Sequence, residues 1–125
     1  MSVELNHTIV RVRDKHAGAA FLAGILGLRT GAEFGPFVPL TLGNGVSLDY
    51  LEYRDPADFR PQHYAFLVDE AEFDAAFGRI REAGIEFYAD PGHQVPHEIN
   101  RRWGGRGVYF EDPDGHNMEL LTRAP

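Results

Sequence analysis

The chain contains an internal repeat, and this repeat restricts the fold more than any other feature of the sequence. The pair Asn6-His7 in the first half matches Gln62-His63, 56 residues further along. Near the end of each half, residues 44–49 (NGVSLD) match residues 114–119 (DGHNME), 70 residues further along. A repeated supersecondary unit predicts two copies of one structural module that share a core.

The first half has the signals of a strand, a helix and a β-hairpin. Residues 5–12 are β-rich, and Asp14 and Gly27 are the candidate N-cap and C-cap of the helix that follows. Asn44-Gly45 is a strong hairpin signal, because both residues tolerate the positive φ of a type I′ turn. The predicted strands of this half are 5–12, 39–42 and 46–53, with a further short one at 32–35.

The second half repeats this order of elements. Residues 70–83 predict a helix with Phe73, Phe77 and Ile80 on one face. The segment 112–115 (DPDG) supplies the turn between the last two strands. The predicted strands of this half are 62–68, 86–88, 107–111 and 117–123. We therefore predict an α+β fold with two βαβββ modules, residues 1–55 and 60–125, in a single domain.

The second half also contains a long inserted loop. The distance between matched segments grows to 70 residues, which places about 13 extra residues in segment 91–105. A loop of this length in a small domain is more often functional than idle. Its charged and aromatic residues either contact substrate or lie on the surface: His93, His97, Arg101, Arg102 and Trp103.

Matched positions of the two modules carry potential metal ligands. Each module has a histidine on its first strand, His7 or His63, and a carboxylate on its last strand, Asp49 or Glu119. A pseudo-twofold axis between the modules would bring these four side chains together. Imidazole and carboxylate ligands suit Fe, Mn, Co, Ni or Zn, whereas Ca and Mg prefer all-oxygen cages. A single histidine on a strand is more often structural, so the prediction depends on the fourfold match.

Composition excludes several classes of function. The 125 residues include 19 acidic and 12 basic side chains, and the net charge of −7 repels nucleic acid. The absence of cysteine excludes disulfides, thiolate zinc sites and thiol nucleophiles. No apolar stretch reaches the roughly 20 residues of a membrane span, and the N-terminus has no signal-peptide pattern. We therefore expect a cytoplasmic protein without membrane or nucleic-acid partners.

Several segments resemble the vicinal oxygen chelate superfamily, which includes glyoxalase I, extradiol dioxygenases and the fosfomycin and bleomycin resistance proteins. They are LNHT (5–8), ILGL (25–28), QHYAF (62–66) and FEDPDGHNMEL (110–120). In this superfamily, paired βαβββ modules form an open curved barrel around a metal site. The resemblance implies that His7, His63 and Glu119 are metal ligands. Asp49 occupies the place of a fourth ligand, which is a Glu in glyoxalases.

A second set of segments is similar to the ChaP-type oxygenases, which tailor aromatic polyketides. The set comprises FGPF (34–37), NGV (44–46), LD (48–49), EIN (98–100) and GGRGVYFE (104–111). This similarity implies a non-haem Fe(II) enzyme, with Mn, Ni or Zn as alternative metals. Its expected reaction is oxidative cleavage or rearrangement, by O2, of an aromatic substrate that carries adjacent oxygens. Superfamily chains of this length usually form homodimers, which would also cover exposed strand edges.

The expected roles of other residues follow from this resemblance. Asp49 is a fourth ligand or the base that takes the substrate proton, and Arg106 and Tyr109 are further catalytic candidates. The expected substrate-binding residues are Phe34, Phe37, Asn100 and Trp103. Two other functions stay open: a glyoxalase-like isomerase or lyase with four ligands, and a drug-sequestering binding protein. Loss of activity without O2 separates the oxygenase from the isomerase, and metal content separates both from the binding protein.

Overall fold

The computed structural model describes residues 2–125. The chain divides into two compact units, one ending at Arg60 and the other beginning at Pro61. Each unit has one α-helix and one mixed β-sheet, and neither sheet closes on itself. The predicted α+β class is therefore confirmed.

The first unit is a three-stranded sheet with one helix. Its elements are β1 (His7–Val12), α1 (Lys15–Leu26), β2 (Val38–Thr41) and β3 (Ser47–Glu52). The strand order is β1-β3-β2, with β1 parallel and β2 antiparallel to β3. The core of this unit includes Val10, Val12, Leu22, Leu40 and Tyr50, each 0% exposed.

Helix α1 begins and ends where its capping residues predict. The Asp14 side chain accepts hydrogen bonds from the backbone N–H groups of His16 and Ala17, both at 3.1 Å. Gly27 adopts the left-handed conformation with φ of 72°. These contacts satisfy backbone groups that have no partner inside the helix.

The β2–β3 hairpin forms as predicted, but its turn is of a different type. Gly45 has a φ of 87°, whereas Asn44 is not among the residues with positive φ. The Gly45 N–H donates to the Leu42 carbonyl at 2.9 Å, and the Leu42 N–H donates to the Val46 carbonyl at 2.8 Å. One left-handed glycine therefore completes this longer loop, and a type I′ turn, which needs two positive φ values, is absent there.

The expected short strand at residues 32–35 is not present. Phe34 and Phe37 pair only with each other, through backbone bonds of 3.0 and 3.1 Å across a tight turn. Gly35 has a φ of 52° at this turn, and proline follows it. The apolar character of the segment therefore reflects a turn with two aromatic ends.

The second unit is a four-stranded sheet with one helix. Its elements are β4 (His63–Leu67), α2 (Glu70–Glu82), β5 (Phe87–Tyr88), β6 (Gly107–Glu111) and β7 (Asn117–Leu121). The order is β4-β7-β6-β5, with β4 parallel to β7 and the other pairs antiparallel. Neither helix in residues 2–125 has the length and apolarity that crossing a membrane requires.

Helix α2 packs on one face of this sheet. The Asp69 side chain accepts from the Glu72 N–H at 2.7 Å, and the Glu72 side chain accepts from the Asp69 N–H at 3.0 Å, which forms a capping box. Phe73 and Ile80 are fully buried, as are Phe110 and Leu120 of the sheet. The helix therefore covers one sheet face and leaves the opposite face for other contacts.

Two glycine substitutions in this unit are expected to have opposite effects on stability. A Cβ on Gly107 would lie 2.8 Å from the Asn100 Oδ1, and the Asn100 amide is fixed by bonds to the Ala89 carbonyl and the Arg102 N–H. Gly107→Ala should therefore lower the free energy of unfolding by about 1–3 kcal/mol. Gly78→Ala, with open space around the helix position, should raise it by about 0.5–1 kcal/mol. Urea denaturation measures both; equal effects would contradict this packing of Asn100.

Candidate metal and substrate site

The strand register places the matched histidines and carboxylates in equivalent positions. In the first unit His7 pairs with Ser47, and Asp49 lies two residues beyond. In the second unit His63 pairs with Asn117, and Glu119 lies two residues beyond. Residues two apart on a strand share a face, so each histidine shares a sheet face with its carboxylate.

His63 and Glu119 are in direct contact. The His63 Nε2 lies 3.0 Å from the Glu119 Oε1, and the two side chains are 47% and 13% exposed. The other ring nitrogen, Nδ1, lies 3.0 Å from the Asn117 carbonyl. Because a carbonyl only accepts, Nδ1 carries the proton. In neutral histidine, the Nε2 lone pair therefore faces a carboxylate oxygen.

Two electron-pair donors at this separation need a cation between them. Either a proton occupies Nε2 or a metal ion binds both atoms. Ligand atoms about 2.1 Å from a metal, at roughly a right angle, lie about 3 Å apart. A backbone carbonyl that holds Nδ1–H is also the usual arrangement behind a metal-binding imidazole. The His63–Glu119 pair therefore fits two ligands of a divalent ion.

Tyr109 lies against both members of this pair. It is opposite Glu119 in the β6–β7 register, and its ring stacks on the His63 ring with centroids 5.9 Å apart. Its hydroxyl makes hydrogen bonds with the side chains of Glu119 and Arg102. Burial raises the pKa of the Tyr109 hydroxyl, and the Glu119 charge raises it further. The phenol therefore stays protonated and donates to Glu119.

The inserted loop reaches this site through His93. The His93 ring stacks on Tyr88 at 4.1 Å with an interplanar angle of 3°, and its Nε2 lies 2.9 Å from the Asn117 Oδ1. The Asn117 Nδ2 donates to the Pro91 carbonyl at 3.2 Å. Asn117 thus contacts His63 through its backbone and the loop through its side chain.

His93 is expected to hold this loop, whereas His97 is not. Both have positive φ, 58° and 63°, but His97 makes an exposed ion pair with Glu86. His93→Ala should lower the free energy of unfolding by about 1–2 kcal/mol and speed amide exchange in residues 91–97. His97→Ala, a control with matched backbone, should change stability by less than about 0.5 kcal/mol. Equal effects of both variants would contradict a special role for His93.

In the first unit, His7 and Asp49 have separate partners. The His7 Nδ1 lies 2.8 Å from the Asn6 Oδ1, and the histidine is exposed. Asp49 is 5% exposed, and its Oδ1 accepts from the Ser47 hydroxyl at 2.7 Å. Among residues 2–125, no three or more His, Asp or Glu side chains are grouped so that they could hold a metal ion. The predicted set of His7, His63 and Glu119 therefore stays a prediction.

Two other candidates have structural partners. The Arg106 guanidinium binds the carboxylates of Glu70 and Asp74, each at 2.8 Å, and covers the Phe73 ring at 4.5 Å. It therefore contacts helix α2, on the sheet face opposite Tyr109, which places it outside the His63 cluster. Asn100 likewise uses its amide to hold the inserted loop, so its polar atoms are already engaged.

The aromatic candidates are accessible. Phe34 is 51% exposed and packs on Phe37 with ring centroids 5.4 Å apart. Trp103 is 55% exposed and has a φ of 60°, an unusual backbone conformation for a large side chain. These positions are compatible with substrate contact, which stays a prediction.

Sequence reasoning did not single out Tyr88 or Asn117, and it left His93 and Arg102 undecided. Asn117 was detectable, since the repeat aligns it with Ser47, one pairing position from the carboxylate. Tyr88 and Arg102 have no such signal, because the module without the insertion has no equivalent loop. Of the other histidines, His16 pairs with Glu33 at 2.6 Å. His116 is buried and accepts from the Gln62 N–H at 2.9 Å.

Comparison with known protein families decides the relationship. Residues 4–120 match the family model of the glyoxalase/bleomycin resistance protein/dioxygenase superfamily. The chain belongs to this superfamily. The match covers both units, and the vicinal oxygen chelate resemblance of the sequence is thereby confirmed.

Two solved superfamily structures are similar over nearly the whole chain. The oxidase ChaP-H2 is 60% identical with a TM-score of 0.95, and the alignment covers 99% of this chain and 96% of that one. The oxidase ChaP-H1 is 58% identical with a TM-score of 0.94, covering 98% of each chain. Glutathione transferase FosA of Serratia marcescens is 32% identical over 96% of this chain and 81% of its own length. The superfamily thus includes relatives named for oxidation and for group transfer.

Proposed function

We propose that this chain is a metal-dependent oxygenase that acts on an aromatic substrate with adjacent oxygens. The observation that carries the proposal is the His63–Glu119 pair, 3.0 Å apart, in a chain 60% identical to an oxidase. Binding one Fe(II), with Mn, Ni or Zn as alternatives, would satisfy the two facing donor atoms. His7 is the third proposed ligand, because the register makes it equivalent to His63.

The chain's own residues have distinct proposed roles around the ion. When bound, Fe(II) supplies a Lewis acid for adjacent substrate oxygens and a redox centre for O2. Asp49 takes the substrate proton, with its carboxylate oriented by the Ser47 hydroxyl. Tyr109 donates to Glu119 and fixes that carboxylate's direction. Phe34, Phe37 and Trp103 supply apolar surface for a flat ligand.

We further propose a homodimer in which two copies complete each metal site. The described residues contain no group of three ligands, and apolar side chains are exposed on the histidine-bearing strands or next to them. Leu5, Ile9 and Leu67 are 66%, 41% and 66% exposed, and all three alternate in phase with His7 or His63. A second copy would cover them.

Complementation between inactive variants tests the shared site. If His7 of one copy joins His63 and Glu119 of the other, a heterodimer of His7→Ala and His63→Ala chains has one intact site and one doubly altered site. We expect one metal ion per heterodimer, purified with two different tags, and none in either variant alone. A metal-free heterodimer would contradict sharing, and a purely monomeric wild-type protein in sedimentation would contradict the dimer.

A second candidate is a metal-dependent transferase or isomerase, which the 32% identity to FosA favours. The deciding measurement is turnover of a naphthalene catechol by iron-loaded protein, followed by absorbance and by O2 uptake. The oxygenase is expected to consume O2 in proportion to product and to stop under argon. Turnover that continues unchanged under argon would favour the isomerase, and binding without turnover would favour a sequestering protein.

A further inference from the structure

We propose that Arg102 recognises an anionic group on the substrate, at the end remote from the chelating oxygens. The inference rests on the proposed function and specifies its substrate as a flat aromatic molecule that carries a carboxylate, sulfonate or similar anion. The juxtaposition that supports it is the exposed Arg102 guanidinium bonded to Tyr109 beside the exposed Trp103 ring.

The three arginines of the inserted loop and its end are differently engaged. Arg106 binds Glu70 and Asp74. The Arg101 charge also acts on Glu70, whose pKa it helps to lower. Arg102 instead reaches the hydroxyl of Tyr109, on the face that carries Glu119. It therefore brings a positive charge to the site, whereas the others act at helix α2.

Arg102 has hydrogen-bonding capacity beyond its contact with Tyr109. A guanidinium has five N–H donors in a planar fork, and a phenol oxygen uses only one or two of them. The residue is exposed to solvent, so the remaining donors are accessible to a ligand. A planar fork with free donors is well suited to carboxylate, sulfonate and related anions.

The position of Arg102 sets the distance between the two ends of the ligand. The Tyr109 hydroxyl bonds to both Arg102 and Glu119, so two hydrogen bonds of about 2.8 Å each separate the arginine from the carboxylate. An anion on Arg102 would thus lie well away from the oxygens that chelate the metal. Trp103, adjacent in sequence and 55% exposed, offers a ring face for the aromatic body between them.

The charge of the whole protein makes this local cation selective. With a net charge of −7, the surrounding field disfavours anionic ligands in general. An anion is therefore favoured only where a specific donor compensates for that field. Replacing this donor should remove the preference for the anion and leave the affinity for the neutral aromatic ring.

The test compares two ligands that differ in charge alone. They are a dihydroxynaphthalene with adjacent hydroxyls and the same compound with a sulfonate on the far ring. Trp103 is the only tryptophan of the chain, so quenching of its fluorescence reports binding at the loop itself, and calorimetry provides a second measurement. Both titrations use the full-length protein loaded with Mn(II) under argon, where no turnover interferes.

We expect wild-type protein to bind the sulfonated catechol about tenfold more tightly than the neutral one, the size expected of a charge-assisted hydrogen bond. Arg102→Gln should abolish the preference without weakening the neutral ligand. Arg101→Gln is the matched control and should keep it. Equal affinities in the wild type, or equal losses in both variants, overturn the proposal and leave the oxygenase function standing. Failure of both catechols to bind would contradict the proposed function itself.

Discussion

Replacing His63 by alanine is expected to remove stoichiometric metal from the folded protein. The variant loses one of two donor atoms that lie 3.0 Å apart, and it leaves the Glu119 carboxylate without its partner. Metal sites with three or four ligands gain roughly 3 kcal/mol or more from each, so affinity should fall at least about a hundredfold. Metal analysis after gel filtration measures the occupancy.

The matched control for His63→Ala is His97→Ala. His97 is a histidine of the same unit, with a 70% exposed side chain paired only at the surface with Glu86, and its removal should leave metal content unchanged. Circular dichroism checks that both variants are folded. Full metal occupancy in folded His63→Ala would show that His63 is not a ligand.

The substitution Asp49→Asn is expected to leave the metal in place and to abolish most of the turnover. The amide that replaces the carboxylate keeps an oxygen that can accept from the Ser47 hydroxyl, which lies 2.7 Å from the Asp49 Oδ1, so the geometry should persist. An amide cannot take a proton, and loss of a general base costs about 10²–10⁴ in rate. Metal content and the rate of O2 uptake are measured on the same sample.

The control for Asp49→Asn is Asp58→Asn, at an exposed carboxylate of the same unit, for which no effect is expected. Asp49 is one methylene shorter than Glu119 and reaches roughly 1.5 Å less far, which favours a base over a ligand. If Asp49→Asn loses its metal and the wild-type enzyme works equally well without O2, the isomerase is the better assignment.

Local sequence signals predicted most of the fold because the interactions they report are local. Asp14 and Gly27 marked the ends of helix α1, since caps act on backbone groups within four residues. The strand 107–111 was predicted with its observed bounds. The turn at Asn44-Gly45 and the segment 32–35 were wrong in detail, because turn type and strand pairing depend on partners outside the segment.

The repeat alone predicted which side chains would be equivalent. It aligned His7 with His63 and Asp49 with Glu119, and the register of the two parallel strand pairs places them in equivalent positions. Periodicity carries this information, since alternate residues of a strand share a face. The apolar core follows from the same pattern.

Only the tertiary structure decided what each polar side chain contacts. Arg102 and Arg106 are four residues apart in one loop, yet one reaches Tyr109 and the other binds helix α2. In the sequence, both have the same charge and a similar neighbourhood. Their directions depend on the path of an irregular loop, which is fixed by distant partners such as Asn117 and Asn100. Sequence therefore determined the equivalent ligands and the core, and long-range packing determined the surroundings of His63.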